Sequence, residues 1–125
     1  MKVFMDTNTI LYFLIDKTIK NVNVEFVISF ITEIELLSYP FIKVGEEIKI
    51  KNFLKNIQIV NIINEKIKNI TISFRKKYKL KLPDAIICAT AYVFEMPLIT
   101  NDKKLFKVLE CEVMDYNKFK EKFTT

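Results

Sequence analysis

The feature that most restricts this chain is the run Leu82-Pro83-Asp84-Ala85-Ile86-Ile87-Cys88-Ala89-Thr90-Ala91-Tyr92. Pro83 suits the first helical position, where no backbone donor is needed, and it places Asp84 in the first turn. Beyond Asp84 the helix has no polar face. Small Ala85, Cys88 and Ala89 recur at helical spacing, with Ile86 and Ile87 on the other side. Such a helix must be covered all round, packed closely on a sheet or another helix. The acid at its rim needs water, a hydrogen bond or a cation, because a bare buried carboxylate is too costly. The helix dipole alone also accounts for an acid there.

The rest of the chain alternates strands and helices. Lys2-Val3-Phe4-Met5 reads as a strand ending at Asp6; Thr7-Asn8-Thr9 then supplies the cap of a helix running through Ile15. A second strand is expected over 23–28. The helix carrying Glu33 and Glu35 follows, capped by Ser29 or by Thr32; with Thr32, Glu35 completes a capping box. Two residues apart, Glu33 and Glu35 diverge on a helix, so at most one faces Asp6. Pro40 stops that helix. A marginally amphipathic helix (45–55), a strand (57–63) and a helix from Asn64 precede the Asp84 helix. The basic run Arg75-Lys76-Lys77-Tyr78-Lys79-Leu80-Lys81 suits either a helix C-terminus or a polyanion. A short strand over 97–99 ends at Thr100-Asn101-Asp102, where Asp102 can cap the short helix that follows. A strand (112–114) and a helix (116–123) complete the chain. This order predicts an α/β protein in which helices cover both faces of a mostly parallel sheet of four to five strands.

Composition narrows the chemistry. The 125 residues make one domain, able to bury roughly two thirds of its unfolded surface. There is no histidine, which removes His-based general bases, histidine zinc sites and Ser-His-Asp machinery. A single glycine, Gly45, leaves no material for a Gly-rich phosphate loop. Chemistry must come from carboxylates, hydroxyls, lysines and Arg75, the only arginine. Cys88 and Cys111 match no bridge framework or metal spacing and read as core thiols of a reducing compartment. No apolar run is long enough to span a membrane, and Asp6, Asn8 and Asp16 interrupt the N-terminal one, so a cytoplasmic protein is expected. The net charge of +5 permits a polyanionic partner without demanding one.

Asp6, Glu35, Asp84 and Asp102 each have a bland explanation as turn, cap or dipole residues. They share a strand-end or helix-start position beside buried sequence. In a parallel sheet those positions lie on one edge, where open α/β folds bind ligands. Two like charges ~4 Å apart repel by roughly 4 kcal/mol at an effective dielectric of 20. A hard divalent cation with oxygen ligands, Mg²⁺ or Mn²⁺, would relieve that repulsion.

Asp6-Thr7-Asn8, then Ile28 through Leu36, then Leu82 through Ala91, then Leu98-Ile99-Thr100-Asn101-Asp102 together resemble the PIN-domain family, most of all its short VapC-type toxin ribonucleases. The likeness covers nearly the whole chain in order. It implies a three-layer α/β/α fold and an acidic metal-binding quartet of Asp6, Glu35, Asp84 and Asp102, supported by Asn8 and Thr100. It further implies Mg²⁺- or Mn²⁺-dependent hydrolysis of RNA phosphodiesters, with Lys103 and Lys104 as possible phosphate contacts. A small antitoxin partner and self-pairing are implied too. One departure is Ser38-Tyr39-Pro40, where family members often carry glycine after the helix glutamate. Two rivals stay open. Asp6-Thr7-Asn8 is similar to the nucleophile loop of haloacid-dehalogenase phosphatases, although Asn8 stands where that loop needs a second acid. The other is a PIN-like module that binds RNA or protein without cutting.

Overall fold

The computed structural model describes residues 1–40, 43–61 and 63–125. Five parallel strands form one sheet in the order β3-β2-β1-β4-β5. They are β1 (Lys2–Met5), β2 (Glu25–Ser29), β3 (Gln58–Val60), β4 (Leu98–Ile99) and β5 (Val113–Met114). Around them lie α1 (Thr7–Ile15), α2 (Phe30–Ser38), α3 (Val44–Leu54), α4 (Glu65–Tyr78), α5 (Leu82–Val93) and α6 (Tyr116–Phe123), with a 3₁₀ turn over Lys103–Lys107. β1 has the expected bounds, and the other four strands are shorter than the sequence suggests. The expected strand over 57–63 is reduced to Gln58–Val60, and its Ile62 lies outside the described residues.

Side chains alternate across the sheet, as a period of two requires. Phe4, Val27 and Leu98 face a core shared with Ile67 and Phe74 of α4 and with Ala85, Ile87, Cys88, Ala89 and Ala91 of α5. Val3, Met5, Phe26, Ile28, Ile99 and Met114 face a second core with Ile10 of α1, Ile50 of α3 and Phe119 and Phe123 of α6. The molecule is therefore the expected three-layer sandwich. The all-apolar helix is covered as its sequence demands: every residue from Ala85 to Ala91 is buried. Phe26 centres an aromatic cluster on the second face, edge-on to Phe13 at 4.8 Å between centroids and tilted against Phe53 and Phe119 at 6.0 and 5.8 Å. Such pairs add about 0.5–1.5 kcal/mol each beyond simple burial.

Two helix starts differ from expectation. Asp6 caps α1, so Thr7-Asn8-Thr9 lies inside the helix and does not supply the cap. Ser29 caps α2 by accepting from the Ile31 amide at 3.1 Å, and Thr32 is buried one turn in. Glu35 is thus no part of a capping box. In both cases the strand runs directly into the helix, and its last or next residue becomes the cap.

Asp16, just after α1, binds α6 to the rest of the fold. It accepts from Thr18, through its amide (3.0 Å) and its hydroxyl (2.6 Å), and from the Tyr116 hydroxyl at 2.8 Å, and it pairs with Lys120 at 3.0 Å. The Thr18 bonds first, then Lys120 and Tyr116, hold its carboxyl well below the usual range. A depressed carboxylate stabilises above its unfolded pKa and loses that contribution as pH falls through the folded value. Asp16→Asn is therefore expected to lower the melting temperature at pH 7. The difference from the parent should shrink only in strong acid, as thermal melts across pH would show.

Candidate active site

Only the turn 94–97 separates α5 from β4, so α5 runs antiparallel to the strands and its first turn lies at their carboxyl edge. The same edge holds Asp6 after β1, the start of α2 after β2, and Thr100 after β4. Asp6 is nearly buried, at 9% exposure, and both its oxygens are engaged. Oδ1 accepts from the Thr9 amide at 3.0 Å and the Thr9 hydroxyl at 2.5 Å, and Oδ2 accepts from the Thr100 hydroxyl. The Thr100 hydroxyl oxygen in turn accepts from the Asp102 amide at 3.0 Å. Asp6, Thr100 and the backbone of Asp102 thus form one connected unit across β1 and β4.

Glu35 projects from α2 into solvent, where its Oε1 accepts from the Thr7 hydroxyl at 2.6 Å. Thr7 is the residue after Asp6, so this bond anchors the middle of α2 to the start of α1. Asp84 is half-buried in the first turn of α5. Burial raises its pKa first, and the negative charges of Asp102, Glu35 and Asp6 raise it further, with Lys81 opposing in part. Asp102 caps the 3₁₀ turn by accepting from the Lys104 amide at 3.0 Å. The sequence foresaw that cap, and the structure adds the reach of Asp102's charge to Asp84. Asn8 is exposed on α1 and, like Asp102, lines a groove of about 830 Å³. Lys103 and Lys104 are exposed at the same rim.

The four acids share one edge and one electrostatic field, but they do not close into a cage. Among the described residues, no three acidic or thiol side chains come together as a ready metal-binding group. That differs from a pocket crowded by four carboxylates. The physical reason is visible: Asp6 is turned to two threonines and Glu35 to Thr7. The donor set nevertheless suits a hard cation. It is all oxygen, and Mg²⁺ commonly binds through one or two carboxylates while keeping several waters. Residues that sequence reasoning missed are Thr7 and Thr9, whose hydroxyls orient Glu35 and Asp6. The only hint was a hydroxyl at either side of Asn8 directly after a strand-end acid.

Residues 3–110 match the PIN domain profile, and the chain belongs to the PIN domain family. This sets aside the phosphatase alternative. The resemblance to VapC-type toxins also extends to solved structures. A toxin–antitoxin complex from Klebsiella pneumoniae is 29% identical with a TM-score of 0.72, covering 91% of this chain and 97% of that one. VapBC-1 from nontypeable Haemophilus influenzae is 22% identical with a TM-score of 0.75, covering 94% and 100%. VapBC2 from Rickettsia felis, bound to a DNA fragment from its promoter, is 19% identical with a TM-score of 0.75, covering 92% and 98%. No curated protein sequence matches the chain significantly.

Proposed function

We propose that this protein is a metal-dependent endoribonuclease, the toxin of a type II toxin–antitoxin pair that acts in the cytoplasm. The observation that carries the reading is geometric: Asp6, fixed by Thr9 and Thr100, shares the carboxyl edge of the sheet with Asp84 in the first turn of α5 and with Asp102, whose amide bonds to Thr100. Carboxylates gathered at one edge favour a dication, whose charge offsets their mutual repulsion. Asp6 and Asp84 would hold Mg²⁺ or Mn²⁺ directly, with Glu35 beside them and Asp102 as the outer acid. When bound, the dication lowers the pKa of a water and stabilises charge on the phosphate oxygens.

The protein's own groups do the rest. Thr9 and Thr100 fix the Asp6 carboxylate, so its orientation is set before substrate arrives. Glu35, held by Thr7 and open to solvent, would orient an attacking water and take its proton. The exposed amide of Asn8 would contact water or the scissile phosphate. Lys103 and Lys104 would meet the flanking phosphates. Water as nucleophile needs no histidine, which agrees with the composition.

The groove next to this rim supports an antitoxin partner. It is lined by Leu11, Leu14 and Ile15 of α1 and by Ile50 of α3, together with Asn8 and Asp102. An amphipathic segment seated there would bury its apolar side and lie against Asp102. The toxin–antitoxin complexes among the structural matches agree with such a partner. Self-pairing completes the proposal.

The test is cleavage of a mixed RNA pool by the purified protein. Cleavage is expected with Mg²⁺ or Mn²⁺, none with EDTA, and recovery on adding metal back. Cleavage unaffected by EDTA would reject metal dependence. Intact RNA despite calorimetric uptake of Mn²⁺ would favour the non-cleaving binding module.

A further inference from the structure

Away from the nuclease rim, the two thiols of the chain are brought together. Cys88 lies in the middle of α5, fully buried, one helical turn beyond Asp84. Cys111 lies in the bend before β5 and is partly exposed. The Cys111 Sγ sits 3.3 Å from the carbonyl oxygen of Cys88, 23 positions away in the chain. Both thiols are free, and they also interact with each other. The Cys111 thiol thus lies against the backbone of Cys88, on a different element, which makes the two residues neighbours in space.

We propose that Cys88 and Cys111 form a reversible intrachain disulfide when the protein meets a peroxide. Cys111 is the reactive partner because it alone reaches solvent. The neighbouring Cys88 thiol lowers the pKa of Cys111, whereas the Cys111 thiol first, and burial after it, raise that of Cys88. The Cys111 thiolate attacks one peroxide oxygen; an S–O bond forms, the O–O bond breaks, and the departing hydroxide takes a proton to become water. Cys111 is then a sulfenic acid. The Cys88 sulfur attacks the Cys111 sulfur, the S–O bond breaks, and the second water leaves with the Cys88 proton. Overall, two thiols lose two electrons and one peroxide becomes two waters. The link ties the middle of α5 to the segment leading into β5. Transient cross-links of this kind are the form disulfides take in reducing compartments.

The experiment uses the full chain, reduced and then exposed to hydrogen peroxide, quenched, unfolded and alkylated. The expected product is a monomer that takes up no alkylating agent and weighs two hydrogens less. Dithiothreitol should restore both thiols, and the oxidised protein should melt several degrees higher. Cys88→Ala should trap the intermediate as a dimedone adduct on Cys111, and Cys111→Ser should leave Cys88 unmodified. Full alkylation of both thiols after peroxide would overturn the proposal. So would oxidation that stops at Cys111 sulfinic acid or gives only disulfides between two chains. Mass and thiol count of the parent protein decide the matter even if a variant does not fold. None of these readouts depends on RNA cleavage, so failure here and failure of the nuclease reading are separate results.

Discussion

Asp84→Asn is expected to abolish metal-dependent cleavage and, in metal-free buffer, to raise the melting temperature. The loss of activity should be at least ~100-fold, the scale on which a misplaced catalytic cation is felt. The gain in stability follows from the environment of Asp84. Its carboxylate is half-buried and faces the charges of Asp102, Glu35 and Asp6, with partial relief from Lys81. Because its folded pKa lies above the unfolded value, the ionised form burdens the fold. That burden is absent below the unfolded pKa and is fully developed once pH has risen through the folded one. The stability difference between variant and parent should therefore close as the solution is acidified. It should reverse at pH 7 in Mg²⁺, when the cation binds and stabilises only the parent. Calorimetric melts at several pH values, with and without Mg²⁺, measure both effects. A variant that is less stable than the parent in EDTA at pH 7 would show that Asp84 is held by favourable contacts and not under electrostatic pressure.

Asp6→Ala should also abolish activity, but with the opposite effect on stability. Removing this carboxylate takes away the cap of α1 and leaves the buried Thr100 hydroxyl without its acceptor, while the Thr9 hydroxyl keeps only the Ile99 carbonyl at 3.1 Å. Loss of a cap and of charge-assisted bonds at a buried position amounts to about 2–4 kcal/mol. Denaturant titration of the variant would measure it. Asp6→Asn keeps one oxygen for the cap and should recover most of the stability and none of the activity. The two aspartates of one rim would then separate into a fixed one that builds the fold and a strained one that awaits its ligand. If both variants moved stability in the same direction, that division would be wrong.

The architecture was legible in the sequence because its signals are long-range patterns. An all-apolar helix has to be buried, and alternating strands and helices have few ways to bury it. The strand ends were less legible, since β4 and β5 keep only two paired residues each and propensity does not report where pairing stops. The Ser29–Thr32 ambiguity illustrates the limit. Both are sound caps, and the choice fell to Ser29 because β2 runs without a break into α2. In the site, the acids stood out by position, but their orientation did not. That Glu35 turns to Thr7, and Asp6 to Thr9 and Thr100, depends on contacts 28 and 94 residues apart in two of the three cases. No local pattern encodes such contacts.

The sheet is bordered by β3 and β5, only three and two residues long. A border that short offers too few free amides and carbonyls to recruit a strand from another molecule. Overproduced protein should therefore resist the ladder-like stacking that drives fibril growth.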